Sequence, residues 1–354
     1  MSHELRAATD AVLTTRRRLL LGGGAVLALG ACGRPAPRGE LRITGMSMAS
    51  PYTVKLAQVA GVDADAVAAA VQAAFDEVDA RMSLYKPTSE LSRLNRQPAG
   101  VPLALSPALH AVLAAAQEVS AASGGAFDVT VAPLVQAWGF GTEKRRDVPP
   151  AAQVNAGRAA VDWRALRLDG QRLTATKAHA PLHADLGGIA KGYGVDRAAH
   201  ALDALGLTHY MVELGGEVRT RGRNAADQPW RIGIEEPDAV PQRARWIVPL
   251  SGRAMATSGD YRSYFVQDGR RYSHEIDPAR GAPIDHPLCS VTVVADDCMR
   301  ADALATALIV LGADKGRQLA AAAGIAAQFI ERADDGSLRD SMSPAFAALG
   351  AVRA

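Results

Sequence analysis

The stretch Asp185-Leu186-Gly187-Gly188-Ile189-Ala190-Lys191-Gly192-Tyr193-Gly194 places a carboxylate, a glycine pair and a lysine at the start of a predicted helix. Glycines at such a start let backbone N–H groups approach an anion closely, and the helix dipole favours negative charge there. Lys191 adds a point charge that suits a phosphate. Asp185 would repel a phosphate unless it holds a metal ion or a ligand hydroxyl. The stretch therefore indicates either a phosphate site or a capped helix with glycine-rich packing.

Predicted helices and strands follow one another on both sides of this stretch without a regular βαβ rhythm. Helical spacing of apolar residues predicts helices at residues 63–82, 106–122, 187–205 and 300–311. Strand-like runs occupy residues 41–56 (interrupted at 49–51), 209–214, 230–234, 244–250, 261–266 and 290–294. This arrangement predicts an α+β fold rather than a doubly wound sheet. Pro149-Pro150 is the predicted internal boundary or loop.

The N-terminal segment predicts export by the twin-arginine route. Arg16 and Arg17 precede a run of apolar or small residues at 19–29, which is shorter than the roughly 20 helical residues that cross a bilayer. Leu29-Gly30-Ala31-Cys32 has the pattern of a lipobox. These features favour a lipoprotein signal peptide over an ordinary buried helix.

The same features predict how the chain is divided. Residues 1–31 are the signal peptide, residues 32–40 a proline-containing tether, and residues 41–354 the functional domain. The mature protein is expected at the periplasmic face of the bacterial cell envelope, anchored to a membrane by a lipid on Cys32.

The composition restricts the classes of partner. A formal net charge of +2 shows no basic excess of the kind that binds nucleic acid, so no nucleic-acid partner is expected. Aromatic residues make up only 5% of the chain, so a ring-shaped ligand must stack on a few identifiable side chains. Besides Cys32 the chain has Cys289 and Cys298, which could pair in an oxidising compartment but are too few for a disulfide framework.

The segment Arg300-Ala301-Asp302-Ala303-Leu304-Ala305-Thr306 places Asp302 and Thr306 four residues apart, on one face of a helix. Both side chains supply hard oxygen atoms, which suit magnesium better than zinc. The alternative is a polar stripe in which the Thr306 hydroxyl bonds back to the helix. The spacing by itself leaves both interpretations open.

Two further side chains are candidates for chemistry. Asp128 lies in a strongly apolar run and is therefore either a cap partner or a ligand contact, because an unbonded buried acid is costly. His274 lies between Ser273 and Asp277 and could act as a general base tuned by a carboxylate, although a lone histidine is more often structural.

Taken in order, these segments resemble the ApbE family, the FAD:protein FMN transferases. The matching segments cover nearly the whole chain after the tether: residues 82–95, 127–141, 185–196, 213–217, 229–234, 257–261, 274–278 and 301–306. The resemblance implies an ApbE-like, T-fold-related α+β fold, with mixed strands and helices around an FAD cleft. It also implies magnesium-dependent transfer of the FMN half of FAD to a protein hydroxyl, with release of AMP.

The resemblance assigns roles to individual residues of this chain. The expected FAD contacts are Met48, Tyr85, Ala126, Phe127, Asp128, Asp185, Lys191 and Ile276. The expected Mg²⁺ positions are Gly188 (through its carbonyl), Asp302, Ala305 and Thr306, and the expected base is His274. The implied acceptor is a threonine or serine of a flavoprotein subunit in a membrane redox complex of the quinone reductase or Rnf type.

Three departures from the family pattern accompany the resemblance. Ala49 stands where the family usually has glycine, Ala305 where some members have aspartate, and Arg280 where threonine is expected. Two other activities remain open on the same residues. One is hydrolysis of FAD to FMN and AMP, and the other is non-enzymatic FAD binding by a lipoprotein.

Overall fold

An eight-stranded, fully antiparallel sheet forms the centre of the computed structural model, which describes residues 39–354. The strands lie in the order β1-β2-β6-β7-β10-β15-β16-β17. With strands numbered along the chain, these are β1 (Glu40–Ser47), β2 (Ser50–Ala57), β6 (Tyr210–Leu214), β7 (Glu217–Arg221), β10 (Ala254–Gly259), β15 (Leu288–Ala295), β16 (Ala326–Arg332) and β17 (Leu338–Met342). Helices lie between these strands along the chain, and no regular βαβ repeat occurs, so the predicted α+β class is confirmed.

Shorter strands form four small sheets around the large one. They are β3 (Leu103–Ala104), β4 (Leu166–Asp169) and β5 (Thr174–Lys177); β8 (Trp230–Glu235), β9 (Ala244–Leu250) and β18 (Val352–Arg353); β11 (Tyr264–Gln267) and β12 (Arg270–Ser273); and β13 (Ile276–Asp277) and β14 (Ala282–Pro283). The helices are α1 (Ala64–Met82), α2 (Glu90–Arg96), α3 (Pro107–Ala122), α4 (Ala132–Ala137), α5 (Ala151–Ala160), α6 (Ala190–Ala204), α7 (Cys298–Ala322) and α8 (Pro344–Ala347).

Helices α1, α6 and α7 cover one face of the large sheet, and the β8–β9 sheet covers the other. Alternate residues of a strand point to opposite faces. Accordingly Ala256 of β10 packs in the cluster that contains α7, whereas its neighbour Met255 packs in the cluster that contains Trp230 of β8. Both faces of the central strands are therefore largely buried.

The helix boundaries confirm part of the prediction and correct the rest. Asp63 caps α1 and Ser106 caps α3, so each of these helices begins one residue after its predicted start. Helix α6 begins at Ala190, not at residue 187, because Gly187 and Gly188 belong to a turn that precedes the helix. Helix α7 runs from Cys298 to Ala322, well beyond the predicted end at 311, because the chain kinks at Gly312 (φ 78°) and then resumes a helix.

The first hairpin places the Met48 region at the edge of the fold. Met48 and Ala49 connect β1 to β2 with φ values of 48° and 58°, so the turn lies one residue before the predicted interruption. Positive φ at both positions is the geometry of a tight hairpin turn. A residue other than glycine pays about 1–2 kcal/mol for this conformation, so Ala49 makes the turn at a cost that a glycine would avoid.

Several other predictions have a clear outcome. Cys289 and Cys298 are both buried free thiols, so they do not pair. Pro150 precedes α5 within one compact unit that extends to Ala354, so the diproline is a loop and not a domain boundary. The strand predicted at 261–266 begins at Tyr264. The signal peptide, Cys32 and most of the tether lie outside the described residues, and β1 already begins at Glu40. Within residues 39–354 no helix is long and apolar enough to cross a membrane.

Candidate active site

A cavity of about 950 Å³ opens between the large sheet with its helices and the segments around α4 and the β11–β12 hairpin. Its size is at the upper end of the range for small-molecule sites. The residues assigned from the resemblance line it with one exception: Met48, Tyr85, Ala126, Phe127, Asp128, Asp185, Gly188, Lys191, His274, Ile276, Asp302 and Thr306. These residues come from six separate segments of the chain and converge on one cavity.

Ala305 is the exception, because its side chain lies away from the cavity. It packs in the core cluster between α7 and the sheet. One residue of α-helix corresponds to a rotation of roughly 100° about the helix axis, so Thr306 faces the cavity while Ala305 does not. An alanine also leaves only a backbone carbonyl as a possible metal ligand at this position.

Lys191 on α6 forms an ion pair with Glu217 on β7, with 2.5 Å between Nζ and Oε1. Glu217 is only 2% exposed, and within the described part of the chain its Oε2 atom has no hydrogen-bond partner. Burial raises the pKa of the Glu217 carboxyl, and the charge of Lys191 opposes that rise. The lysine predicted to bind phosphate is therefore already balanced by a carboxylate.

Asp302 on α7 completes this group and is 4% exposed. Its Oδ2 accepts a hydrogen bond of 3.0 Å from the backbone N–H of Gly192. Burial and the nearby charge of Glu217 raise the pKa of Asp302 to about 7. Two carboxylates beside one lysine leave this end of the cavity with an excess of negative charge when both are ionised.

Thr306 shares the cavity-facing side of α7 with Asp302, and two further residues lie close to Thr306. Thr306 follows one turn later on α7, and its Oγ1 lies 3.0 Å from Oγ of Ser258 on β10. Gly188 lies so close that a Cβ atom placed on it would be 2.9 Å from Thr306 Oγ1. Oxygen ligands of this hardness are the ones that Mg²⁺ prefers.

These residues fit a divalent cation on chemical grounds. The cavity end has two carboxylates beside one lysine, and one carboxylate oxygen, Glu217 Oε2, lacks a hydrogen-bond partner among residues 39–354. No three His, Cys, Asp or Glu side chains of the described residues converge in a metal-binding cluster. A cation here would therefore depend on hydroxyl and carbonyl oxygens, or water, in addition to the Asp302 carboxylate.

Asp185 holds the turn before α6. Its Oδ1 accepts a hydrogen bond of 2.7 Å from the N–H of Gly187, so this amide points at the carboxylate and not at a ligand. Burial raises the pKa of Asp185. The backbone N–H of Gly187, one of the two glycines predicted to face a phosphate, is thus already bonded to Asp185.

Asp128 has a structural role that the sequence left open. Its Oδ1 accepts hydrogen bonds from both N and Oγ1 of Thr130, at 2.7 and 2.6 Å, and its Oδ2 accepts one from the N–H of Trp163 at 3.0 Å. Burial raises the pKa of this carboxyl, and the three hydrogen bonds oppose the rise. Asp128 lines the cavity while it fastens the loop at Thr130 to the segment at Trp163.

His274 lies at the end of the β11–β12 hairpin with 40% of its side chain exposed. Its Nδ1 is 3.2 Å from the carbonyl oxygen of Ser263, and its Nε2 is 3.7 Å from Oε1 of Glu275. When Nδ1 carries a proton and donates a hydrogen bond to the carbonyl oxygen of Ser263, the lone pair of Nε2 is free to accept a proton. The histidine is therefore accessible, and one of its ring nitrogens can accept a proton.

Glu217 and Glu275 are the functional candidates that the sequence argument missed. Glu275 is buried beside His274, lines the cavity, and has a pKa raised by burial. Glu217 ends the motif Glu213-Leu214-Gly215-Gly216-Glu217, whose glycines have φ values of 64° and 110°. A glycine pair with positive φ indicates a turn between two strands. The two adjacent glycines are visible in the sequence and could have placed Glu217 at the start of a strand.

Gly192→Ala is expected to destabilise the protein by about 1–3 kcal/mol, although alanine favours helices more than glycine does. A Cβ atom at this position would lie 2.3 Å from the carbonyl oxygen of Cys298 and 2.8 Å from Cβ of Asp302, so α6 and α7 would have to separate. Urea unfolding measures the change. Gly194→Ala is the matched control on α6, because its Cβ would meet only the end of the Met48 side chain at 3.2 Å and the ring of Phe75 at 3.4 Å. Equal stability of the two variants would contradict the prediction.

Comparisons with known proteins agree with this geometry. Residues 48–329 match the model of the ApbE family. The chain is 41% identical over 322 residues to a FAD:protein FMN transferase of Vibrio cholerae, covering 90% of this chain and 95% of the relative. It is 40% identical over 324 residues to a FAD:protein FMN transferase of Haemophilus influenzae, covering 90% and 93%.

Solved structures extend the similarity to three dimensions. The flavin transferase ApbE from Vibrio cholerae superimposes with a TM-score of 0.82 at 41% identity, covering 88% of this chain and 100% of that one. The apo form of the Pseudomonas stutzeri flavinyl transferase ApbE gives a TM-score of 0.79 at 40% identity, covering 88% and 97%. With its fold, its cavity and its motifs in agreement, the chain belongs to the ApbE family.

Proposed function

We propose that this protein transfers the FMN moiety of FAD to a threonine or serine hydroxyl of a target flavoprotein and releases AMP, in a reaction that depends on Mg²⁺. The observation that carries the proposal is the group formed by Lys191, Glu217, Asp302 and Thr306 at one end of a cavity of about 950 Å³ that also contains an accessible histidine. The names of the curated relatives, FAD:protein FMN transferases, support the transfer of FMN from FAD to a protein.

In this reaction the acceptor oxygen attacks the phosphorus that carries riboflavin. The bond from that phosphorus to the oxygen bridging the two phosphates breaks, and AMP leaves with the bridging oxygen. Such a transfer needs positioning and charge neutralisation more than covalent help from the protein. Bound Mg²⁺, held by Asp302, Thr306 and the Gly188 carbonyl, would neutralise charge on the diphosphate.

Each side chain of the site then has a defined task. Lys191 stays charged because Glu217 is 2.5 Å away, and it supplies a fixed positive charge beside the diphosphate. Ser258, bonded to Thr306, orients the threonine hydroxyl. His274 accepts the proton of the attacking hydroxyl at Nε2, and the buried carboxylate of Glu275, 3.7 Å from that atom, stabilises the charge that forms.

Tyr85 supplies a ring face for the flavin in this proposal, because its side chain lines the cavity and is 61% exposed. Tyr85→Ala is expected to weaken FAD binding by about 2- to 10-fold, since an aromatic contact contributes roughly 0.5–1.5 kcal/mol. Thermal stability should stay within about 0.5 kcal/mol of the original, because the ring is largely in solvent. Quenching of flavin fluorescence measures the affinity. Tyr85→Phe keeps the ring and should bind normally; the same loss in both variants would argue for a role of the hydroxyl instead.

The location of the protein in the cell is also part of the proposal. The twin-arginine motif and the lipobox before Cys32 support a lipid-anchored protein at the periplasmic face of the cell envelope. Its acceptors there would be flavoprotein subunits of membrane redox complexes, of the quinone reductase or Rnf type. Globomycin-sensitive processing at Cys32 and palmitate labelling of the mature chain would test the anchor.

One incubation distinguishes the proposed activity from its alternatives. The purified protein is mixed with FAD, MgCl₂ and an acceptor domain, and the products are separated on a denaturing gel and by chromatography. Covalent flavin fluorescence on the acceptor together with AMP supports transfer. FMN and AMP formed at the same rate without the acceptor would identify a hydrolase. FAD bound but unchanged would identify a binding protein and overturn the proposal.

A further inference from the structure

Three ion pairs connect α6 to β7 and run side by side along the two elements. Lys191 pairs with Glu217, Asp196 pairs with Arg219, and Asp203 pairs with Arg221. Glu217, Arg219 and Arg221 are alternate residues of one strand, so their side chains point to the same face of the sheet. We call this set the ion-pair ladder. Its first pair belongs to the cavity, and the function of the other two is unassigned.

The Asp196–Arg219 pair differs from the Asp203–Arg221 pair because Asp196 also accepts hydrogen bonds from α7. Both carboxylate oxygens of Asp196 lie 3.0 Å from the backbone N of Cys298, and Oδ2 lies 2.9 Å from the N of Met299. Asp196 is 5% exposed. The first N–H groups of a helix have no partner within the helix and need an acceptor from elsewhere. The side chain of Asp297, the N-cap of α7, accepts a hydrogen bond from the N–H of Arg300 in this turn. Asp196 on α6 accepts those from the N–H groups of Cys298 and Met299.

The contact with Cys298 lies one helical turn before Asp302. Residues four apart share a face of an α-helix, so a shift of the Cys298 end moves the Asp302 carboxylate along the same line. Asp302 Oδ2 meets the N–H of Gly192, which lies four residues before Asp196 on α6. Asp196 and Gly192 therefore hold two successive turns of α7 against one face of α6.

We propose that Asp196, held in place by Arg219, is a positioning residue that sets the register of α7 against α6 and β7, so that Asp302 faces Lys191 and Glu217. The proposal rests on the function proposed above and assigns Asp196 no contact with FAD or with a cation. It concerns the three elements that each supply one charged residue to the cavity: α6, β7 and α7.

The ladder itself provides a matched control. Asp203 pairs with Arg221 at 2.5 Å and joins the same helix to the same strand, but its contacts are with Arg221 and Tyr210, not with α7. Asp203→Asn thus removes one α6–β7 ion pair without touching the start of α7. Asp196→Asn removes an ion pair and also weakens the acceptors for Cys298 and Met299.

The test measures Mn²⁺ binding to the full-length protein without FAD, by electron paramagnetic resonance of the free ion. Asp196→Asn is expected to weaken Mn²⁺ binding by about 10-fold or more, as loss of a group that orients a metal ligand usually does. Asp203→Asn should bind Mn²⁺ as the unmodified protein does. In turnover assays Asp196→Asn should need more Mg²⁺ to reach its maximal rate, while its KM for FAD stays within about twofold.

Equal Mn²⁺ affinities for the two variants would overturn the proposal. If Asp196→Asn does not fold, Arg219→Gln and its conservative partner Arg219→Lys decide the question, because both leave the Asp196 carboxylate in the chain. Arg219→Gln should weaken Mn²⁺ binding and Arg219→Lys should largely restore it; unchanged binding in Arg219→Gln would contradict the inference. If the unmodified protein binds Mn²⁺ but transfers no flavin, the proposed function fails while the positioning role of Asp196 stands.

Discussion

Asp302→Asn is expected to lower cation-dependent turnover by about 10³-fold, because it removes the ionised oxygen that would hold Mg²⁺ beside the diphosphate. Asparagine keeps the shape of the side chain and can still accept the hydrogen bond from Gly192, whose N–H lies 3.0 Å from Oδ2. The fold should therefore be preserved. Initial rates of AMP release at increasing MgCl₂ measure the effect.

The same substitution should stabilise the cation-free protein, and this distinguishes a functional carboxylate from a structural one. Burial and the charge of Glu217 raise the pKa of Asp302 to about 7, against roughly 4 for an unfolded chain. The folded state then binds more protons than the unfolded state between about pH 4 and pH 7, so stability is lost as the pH rises through this window and stays lower above it. At pH 8 the neutral asparagine avoids this loss, and the free energy of unfolding should increase.

Asp314→Asn is the matched control, because Asp314 lies on α7 with its side chain 89% exposed and pairs with Arg317 at the surface. It should leave turnover and stability nearly unchanged. Normal Mg²⁺-dependent activity in Asp302→Asn would contradict the cation assignment. A large loss of stability in that variant would mean that the carboxylate holds the fold together.

His274→Ala is expected to lower kcat for flavin transfer by about 10²–10⁴-fold, which is the usual contribution of a general base. FAD affinity should change little, because the ring is 40% exposed and its nearest polar contacts are Ser263 and Glu275 of its own hairpin region. Single-turnover rates on an acceptor domain, together with equilibrium FAD binding, measure the two quantities separately.

His200→Ala serves as the control, since His200 is exposed on α6 and does not line the cavity. It should behave as the unmodified protein does. If His274→Ala loses FAD affinity and transfer rate by the same factor, the histidine binds substrate and is not the base.

Local sequence determined much of the secondary structure. The apolar spacing over residues 63–82 was sufficient to predict α1, because amphipathicity is a pattern within a few turns of a helix. The start of α6 was predicted too early. Gly187 and Gly188 suit a helix start as well as a turn, and what decides between them is the contact of Gly187 with Asp185.

The sequence indicated which residues line the candidate cavity but not which partner each side chain has. Lys191, His274 and Asp302, which the family motifs assign to the site, line one cavity. Which partner each side chain has depends on residues far away in the chain. Asp128 reaches Trp163, 35 residues later, and Asp302 reaches Gly192, 110 residues earlier. Periodicity and motif spacing carry no information on such distant contacts.

By itself, the sequence determined the α+β class and the ApbE family, because both are encoded in short-range patterns of polarity, glycine and charge. Only the tertiary structure decided that Glu217 balances Lys191, that Ala305 faces the core, and that Asp196 fastens α7 to α6. The physical reason is that burial and pairing of charges arise from packing between elements, and packing is settled only when the sheet has brought distant segments together.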